Sequence, residues 1–475
     1  MRDIAIVGAG VAGISAFVQL VREAGAGLSS VTLIDPNAPG TGPVFGDPDP
    51  DLLCNTSAGI CSLLPEAPSD FVGFCAEHAR PVGDADLVPR SWIGEYARVL
   101  FRDHSAPARA RGVGVAHEPG RVHRVTRTGG GYRLRLGDGR ERTFSHVIVA
   151  VGLGGPVVPD GFAALTSHPR WTPSPYPSAR LRRRVGDAPS RVLVVGGGLS
   201  AVDAALLLCR DGHHVTLASR SGLLPAVRAR ILPSPRPLPS LEGIVGLEPD
   251  DPLLHHKVGR AVVEAVRVVS PLPLRRQLSR STDPVRRLRE ETALAEAGLC
   301  HWQDVLLSVF HAASAWSEGL PLPDREAALA PVRPVIWRYV TSLALPNARK
   351  LLAHIDAGKL TLDTYDPARV RAHDGGFEVA SRDGRVRVHD HVVAAAGFHM
   401  PALHHDADGV HLVDPPPSAV PLTAIDGDLR LHLDGRPERI WVIGPASHVR
   451  RSFVNFLTSV AVQARAVARQ IGEGS

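Results

Sequence analysis

A glycine-rich turn near the start of the chain constrains its fold more than any other feature. The short apolar run of residues 4–7 leads directly into Gly8, Gly10 and Gly13, which have the spacing Gly-x-Gly-x-x-Gly. A helix-like segment follows, and a second strand-like run then ends in Asp35, 22 residues after Gly13. This order of strand, glycine turn, helix, strand and acid predicts a dinucleotide-binding unit.

Each residue of this unit has a physical task. Gly8 makes the tight turn, Gly10 lets the backbone approach a pyrophosphate, and Gly13 lets the helix pack closely on the strand. The start of the helix offers unpaired N–H groups and a partial positive charge to the phosphates. The carboxylate of Asp35 is placed to bond the ribose hydroxyls of an adenosine.

The same order of elements begins again at residue 191. An apolar strand leads into Gly196, Gly198, Ser200 and Ala201, which form a Gly-x-Gly-x-x-Ala turn at the start of a second helix. The next strand ends in Ser219 and Arg220 instead of an acid. A carboxylate there would repel a 2′-phosphate, whereas serine and arginine would bind one. The second unit is therefore predicted to bind NADPH.

Two such units in one chain predict two bound nucleotides, and a flavin paired with a nicotinamide can exchange a hydride. We predict an α/β protein with two Rossmann-like dinucleotide-binding domains, one for FAD and one for NADPH, and a helical insertion. The predicted FAD domain comprises residues 1–165 and 390–475, and the NADPH domain residues 185–232 and 350–390. Residues 233–350 show helical periodicity and are predicted to form an insertion that covers the substrate site.

Composition excludes several other classes. The chain has 475 residues, 44% of them hydrophobic and 21% charged, and a formal charge of +5. No apolar run approaches the roughly 18 residues of a membrane span, and no basic stripe is interleaved with aromatic residues. We therefore expect neither a membrane nor a nucleic acid as partner. The five cysteines include no Cys-x-x-Cys pair, so we expect no metal site and a cytoplasmic location.

Several stretches together resemble a known family. They are residues 8–13, 35–42, 53–56, 89–96, 196–203 and 219–225, and, less sharply, residues 394–398 and 440–445. The sequence resembles bacterial FAD/NAD(P)-binding proteins with two dinucleotide domains, relatives of the N-hydroxylating flavin monooxygenases. The resemblance implies that Gly8, Gly10, Gly13 and Asp35 hold FAD and that Asn55 and Gly444 lie near the flavin. Many flavoproteins of this fold carry Asp after that last glycine, whereas this chain has Pro445.

Three further residues are predicted to contact the cofactors, namely Val122, Gly152 and Gly397. The leading hypothesis is a monooxygenase that uses FAD, NADPH and O₂ to oxygenate the nitrogen of a small amine or amino acid in secondary metabolism. A reductase or dehydrogenase on the same scaffold and a flavin-binding redox sensor or docking protein remain as alternatives. No protein nucleophile is required, so no catalytic side chain is nominated, and assembly into a homo-oligomer is left open.

Overall fold

The architecture consists of two parallel sheets, each with its own glycine turn, and a helical insertion. The structure is a computed structural model, and it describes residues 1–318 and 320–474. The strands are β1 (Arg2–Val7), β2 (Leu28–Ile34), β3 (Leu53–Ser57), β4 (Leu87–Pro89), β5 (Gly114–Glu118), β6 (Val122–Arg127), β7 (Tyr132–Leu136), β8 (Glu141–Phe144), β9 (His146–Val149), β10 (Trp171–Thr172), β11 (Arg191–Val195), β12 (His214–Ser219), β13 (Val227–Arg228), β14 (Leu343–Ala344), β15 (Leu360–Thr364), β16 (Val370–His373), β17 (Gly376–Ala380), β18 (Val386–His389), β19 (His391–Ala394), β20 (His404–Asp406), β21 (Gly409–His411), β22 (Val420–Pro421), β23 (Arg430–Leu433) and β24 (Arg436–Val442). The α-helices are α1 (Val11–Glu23), α2 (Asp70–Glu77), α3 (Arg90–Ala110), α4 (Ser178–Val185), α5 (Leu199–Arg210), α6 (Pro239–Glu242), α7 (Leu254–Val269), α8 (Pro284–Glu296), α9 (Gln303–Glu318), α10 (Leu322–Leu329), α11 (Arg333–Val340), α12 (Leu345–Asp356) and α13 (Leu457–Glu473).

The first sheet has the strand order β23-β24-β9-β1-β2-β5, and within it β24, β9, β1, β2 and β5 run parallel. Strand β1 is central and apolar on both faces, as parallel strands covered on both sides are. Ile4 and Ile6 pack with α1, α3 and α13 on one face. Ala5 and Val7 pack on the other face against a second, antiparallel sheet of order β22-β20-β21-β6-β7-β8.

The second parallel sheet repeats this plan, with the order β10-β19-β11-β12-β15. One face, with Val192 and Val194, packs against α5, α12 and the insertion. The other face, with Leu193 and Val195, shares a core with the small antiparallel sheet β16-β17-β18. The predicted fold class, an α/β protein with two dinucleotide-binding domains and a helical insertion, is confirmed.

Two of the predicted domain boundaries differ from those in the structure. Strand β19 hydrogen-bonds to β11 in the second sheet, so the prediction that the FAD domain resumes at residue 390 is wrong. The short strand β10 pairs with β19 at the edge of the same sheet, so the second domain also begins before residue 185. The apolar run of β19 would suit the interior of either parallel sheet, and its pattern alone does not say which sheet accepts it.

The helical insertion extends from α6 to α11 and is closed at its base by the pairing of β13 with β14. It shares a hydrophobic core with the second domain, to which Leu288 and Leu306 contribute. It also reaches the first domain, because the ring of Phe310 on α9 lies 5.0 Å from that of Phe453 and 4.2 Å from that of Phe456. Phe453 has a φ of +56°, a strained conformation for a bulky residue, in the segment that leads into α13.

In the part of the chain that the structure describes, no helix combines the length and the apolar character needed to cross a membrane.

Candidate functional site

The first glycine turn is built as the spacing predicts. Gly8 has a φ of +108°, and a Cβ there would lie 2.3 Å from the carbonyl oxygen of Ala150. A Cβ on Gly13 would lie 1.9 Å from the carbonyl oxygen of Gly8, so only glycine lets α1 pack this closely. Gly10 precedes α1 and has open space where its Cβ would project. The turn therefore leaves a free approach to the N-terminus of α1, where a pyrophosphate could bind.

Asp35 lies directly beside this turn. Its Oδ2 accepts a hydrogen bond of 2.9 Å from the amide of Ala9, and its Oδ1 accepts one of 2.7 Å from the amide of Asn37. The amide of Gly120 donates to the carbonyl of Asp35 at 3.3 Å, which brings the start of β6 to the same place. The Val122 side chain is buried in the core under β6, so only the backbone of Val122 could contact a ligand.

Two predicted residues lie farther along the same edge of the first sheet, and a third lies on β3, which pairs with β4 in a separate two-stranded sheet. Gly152 follows β9 with a φ of +72°, and Gly444 follows β24 with a φ of +65°. The Gly444 amide donates to Gln463 Oε1 at 2.8 Å, and a Cβ on Gly444 would lie 3.6 Å from that of Ala12 on α1. Asn55 lies on β3, and its Oδ1 is buried without a hydrogen-bond partner in the described chain.

The second glycine turn copies the first. Gly196 has a φ of +153°, and a Cβ there would lie 2.2 Å from the carbonyl oxygen of Ala395, the equivalent of the contact at Gly8. Gly198 precedes α5, whose first turn carries Ser200 and the fully buried Ala201. A pyrophosphate could therefore bind at the N-terminus of α5 as well.

Ser219 and Arg220 lie at the end of β12, as predicted. The Ser219 hydroxyl accepts a hydrogen bond of 3.0 Å from the Gly222 amide, which holds the following loop. The side chain of Arg220 is 69% exposed and lies 3.3 Å from Asp160 Oδ2. The pKa of the buried Tyr365 is raised by burial and by Asp160, while Arg220 and Arg382 act against this increase. The amide of Arg382 donates to the Thr364 hydroxyl at 3.2 Å, and Thr364 is paired with Ser219 in the second sheet, so Arg382 is a second cation near this end of β12.

The sequence reasoning missed Arg382 and also Trp337. Arg382 follows β17, far along the chain from Arg220, and no motif points to it. Trp337 is on α11 of the insertion, and its Nε1 lies 3.8 Å from the position of a Cβ on Gly198. Its indole N–H could donate to a phosphate at the start of α5. The proline at the start of α11 was a usable signal for the helix, but nothing in the sequence links that helix to the second turn.

Where the two domains meet, residues 154–157 of one are hydrogen-bonded to residues 397–399 of the other. The amide of Gly154 donates to the carbonyl of His399, the amide of His399 to that of Gly155, and the amide of Val157 to that of Gly397, each at 2.9 Å. Gly397 therefore follows β19 in the second domain and not, as the predicted boundary implied, in the first. The segments that leave the two sheets thus run side by side.

A buried polar cluster lies at the same seam between the domains. Arg90, the first residue of α3, lies 2.7 Å from Asp203 Oδ2 on α5 and donates to the Tyr176 hydroxyl at 3.0 Å. Burial acts to lower the pKa of Arg90, but Asp203 and Tyr176 outweigh it and raise the pKa, so the guanidinium stays charged. Burial raises the pKa of Asp203, against the effect of Arg90.

A second polar cluster holds residues 47–51 of the first domain against the second. The carboxylate of Asp49 is buried and pairs with Arg182 at 2.8 Å and with Arg210 at 2.6 Å. Asp47 accepts hydrogen bonds of 2.5 and 2.6 Å from the amide and hydroxyl of Ser178. Because the carboxylates of Asp47 and Asp49 are buried and their partners belong to the second domain, these contacts hold the two domains in a fixed relative position.

Among the described residues, no group of three or more His, Cys, Asp or Glu side chains is arranged to hold a metal ion. All five cysteines are free and buried.

The fold thus contains two glycine turns of the dinucleotide-binding type, one in each parallel sheet, and the segments that follow β9 and β19 lie side by side. Residues 5–154 match a family model described as FAD-NAD(P)-binding, so this part of the chain is an FAD-NAD(P)-binding domain. The residues present fit FAD, because Gly10 opens onto free space and the buried Asn55 Oδ1 has no partner in the described chain. A search of curated proteins found no match.

Solved structures resemble the whole chain. One is an ornithine N-hydroxylase from Kutzneria sp. 744, with reduced FAD, NADP⁺ and L-ornithine, at 15% identity and a TM-score of 0.58, covering 100% of this chain and 99% of that one. Another is L-lysine 6-monooxygenase from Pseudomonas syringae, at 17% identity and 0.54, covering 100% and 99%. A flavin-containing monooxygenase from Stenotrophomonas maltophilia follows at 19% and 0.52, covering 99% and 98%. The chain therefore has the fold of these two-domain flavoproteins.

Proposed function

We propose that this protein is an NADPH-dependent, FAD-containing monooxygenase that oxygenates the nitrogen of a small amine or amino acid. The observation that carries this proposal is the contact between the two domains. The segments after β9 and β19 are hydrogen-bonded to each other, so the ligand edges of the two sheets are adjacent. Two nucleotides bound at these edges would bring a flavin and a nicotinamide together, which is the arrangement that hydride transfer requires.

The assignment of FAD to the first glycine turn rests on Asp35. Asp35 ends β2 and holds the amide of Ala9, so its carboxylate is already fixed at the place where an adenosine ribose would lie. Gly8, Gly10 and Gly13 would accommodate the pyrophosphate, while Gly152, Gly444 and Asn55 would lie along the rest of the cofactor. Val122 would contribute its backbone near the adenine.

The assignment of NADPH to the second turn rests on charge. Gly196, Gly198, Ser200 and Ala201 would receive the pyrophosphate at the start of α5. Two cations, Arg220 and Arg382, are near the end of β12, where a 2′-phosphate would lie, and the strand ends in Ser219 instead of an acid. A phosphate has strong acceptor oxygens that suit guanidinium groups.

When both are bound, FAD and NADPH supply the electrons and the activation of O₂ that a monooxygenase needs. The chain's own task is to hold the two nucleotides at a fixed distance and to exclude water. The buried clusters around Arg90 and Asp49 fix the distance. The insertion, through Phe310 and Trp337, closes over the first domain at Phe453 and over the second turn at Gly198. We propose that the substrate binds beneath this insertion.

Turnover with labelled oxygen tests the proposal. Purified protein with FAD and NADPH is supplied with ¹⁸O₂ and with L-ornithine, L-lysine or cadaverine, the substrates named for proteins of this fold. We expect one amine to accelerate NADPH oxidation and to yield a product that carries one labelled oxygen atom. NADPH oxidation that never yields an oxygenated product, across a wide panel of amines, would contradict the proposal and favour a reductase or dehydrogenase.

A matched control uses the Gly10→Val variant, which we expect to lack FAD. It should show neither amine-dependent NADPH oxidation nor product. Wild-type protein that carries FAD but consumes NADPH at a negligible rate with and without amines would favour the redox sensor or docking protein.

A further inference from the structure

The last two helices of the insertion are packed more loosely than the others. Helices α10 and α11 lie within residues 322–340, and in this fully described stretch Arg325 is the one buried residue. The apolar residues of α11 are partly or largely exposed, and Val335 is 57% exposed. Helix α8 of the same insertion, by contrast, places Leu288 in the shared core. A segment with so few buried apolar contacts opens more readily than its neighbours.

Two arginines hold this stretch, one near each end. Arg325 Nη2 donates to the carbonyl of His448, in the segment of the first domain that precedes α13, at 2.6 Å. Arg338 donates to the carbonyl of Leu224 in the second domain at 3.0 Å and pairs with the carboxylate of Glu291 on α8. The stretch therefore spans from one domain to the other and is fastened to both.

Between the two arginines the stretch makes few polar contacts. Within the described chain, residues 326–337 have one hydrogen bond to another element, which joins His255 Nε2 on α7 to the carbonyl of Ala328 at 3.0 Å on the exposed surface. An exposed bond of this kind stabilises little, because water competes for both partners. Residues 326–337 can therefore move away while Arg325 and Arg338 keep the ends in place.

The part of the stretch next to Arg338 covers the second glycine turn. Trp337 Nε1 lies 3.8 Å from the position of a Cβ on Gly198, and Gly198 is the residue that precedes α5. The equivalent residue of the first turn, Gly10, has no atom within 4 Å of its Cβ position. The two turns thus differ in one respect, because the insertion covers the second and leaves the first open. This difference matches the proposed nucleotides, since NADPH leaves as NADP⁺ in every cycle whereas FAD stays bound.

We propose that residues 322–340 form a lid over the NADPH site, which opens to admit the nucleotide and closes with Trp337 against its pyrophosphate. This inference rests on the NADPH site of the proposed function. In the closed position the indole N–H donates to a phosphate oxygen, and such a bond to a charged group is stronger than a neutral one. Closure excludes water from the start of α5, and opening precedes the release of NADP⁺.

The test is amide hydrogen exchange of the oxidised holoprotein, measured without nucleotide and with saturating NADP⁺. We expect NADP⁺ to slow the exchange of residues 322–340 at least about tenfold, because the lid then spends less time open. The amides of residues 199–205 report binding at the start of α5 and should also exchange more slowly. Residues 284–296 of α8 serve as an internal control and should not change. Saturating NAD⁺ should give the same pattern, since it has the same pyrophosphate.

A pair of variants separates closure of the lid from binding of the nucleotide. With saturating NADP⁺, Trp337→Ala should still slow exchange at residues 199–205 but should no longer slow it at residues 322–329 of α10. The dissociation rate of NADP⁺, measured by stopped-flow displacement, should rise at least about tenfold in this variant. Val335→Ala is the matched control on the same helix, because Val335 is 57% exposed, and it should behave as wild type in both measurements.

Three results would overturn the inference, and they differ in what they say about the NADPH site. Slower exchange at residues 199–205 with no change at residues 322–340 refutes the lid and leaves the nucleotide site in place. Protection of the lid by NADP⁺ that persists in Trp337→Ala refutes closure through the indole. No change in either region refutes the NADPH site itself and the lid with it. Because no amine is present and the flavin stays oxidised, none of these results depends on whether the protein is a monooxygenase.

Discussion

Replacement of Arg220 by alanine tests the nucleotide assignment most directly. Arg220 is proposed to bind the 2′-phosphate, which NADPH has and NADH lacks. A hydrogen bond to a charged group is worth roughly 1.5–3 kcal/mol. The Arg220 side chain is 69% exposed, so the lower half of this range applies. To bind the phosphate, Arg220 must also break its ion pair with Asp160, which costs roughly 0.2–1 kcal/mol for an exposed pair and is subtracted from the gain.

The net loss in Arg220→Ala is therefore about 0.5–2 kcal/mol, which corresponds to a roughly 2- to 30-fold increase in the Kd of NADPH. The Kd of NADH should change by less than about twofold, because NADH has no 2′-phosphate for Arg220 to bind. The oxidised nucleotides NADP⁺ and NAD⁺ differ by the same 2′-phosphate, so the same changes are expected in their Kd values, which can be measured by titrating the oxidised holoprotein and following quenching of protein fluorescence. An equal loss for both nucleotides would refute the 2′-phosphate assignment.

Two companion variants sharpen this test. Arg382→Ala removes the second cation and should also weaken NADP⁺ selectively. Asp160→Asn removes the carboxylate that competes for Arg220, so it should tighten NADP⁺ up to about fivefold at low salt. A weaker Kd of NADP⁺ in Asp160→Asn would show that Asp160 orients Arg220 instead of competing for it.

Three further predictions concern other parts of the molecule. Gly10→Val fills the open approach to α1 and should give colourless, flavin-free protein, whereas a retained yellow absorbance band would mean that FAD binds elsewhere. Trp337→Phe removes one N–H donor near Gly198 and should weaken NADP⁺ and NAD⁺ alike, by roughly 2- to 12-fold in Kd, since both carry the pyrophosphate; a loss confined to NADP⁺ would contradict this. Burial lowers the pKa of His146 and His389 to about 4, from 6.5, so the unfolded chain binds more protons between these values and stability should fall as the pH drops from 6.5 towards 4. Urea denaturation at several pH values should show this slope, and the His146→Gln, His389→Gln double variant should flatten it.

The order of strand, glycine turn and helix in each dinucleotide unit could be predicted from the sequence because it depends on residues that are close together in the chain. A Cβ on Gly13 would meet the carbonyl oxygen of Gly8 in the same turn, and Gly8 and Gly196 have positive φ values, which favour glycine. The residue that follows each second strand, Asp35 or Arg220, can likewise be read directly from the sequence. Residues that are close together in the chain therefore suffice to indicate both features.

The boundaries of the domains could not be predicted in the same way. Strand β19 has an apolar run that either sheet could accept, and only the packing of β11 against it decides that Gly397 lies in the second domain. The predicted insertion was found, but its pattern did not reveal that Trp337 reaches Gly198 or that Phe310 reaches Phe453.

The sequence by itself determined two glycine turns, the charge at the end of each second strand and the helical character of the insertion, since each is set by residues close together in the chain. The tertiary structure alone decided which groups meet across the seam. Arg228 is one arginine among many in the sequence, and only the packing of β13 against β3 buries its guanidinium, which donates to the carbonyl of Asn55. Such long-range pairings depend on how two complete domains pack, and no local pattern encodes them.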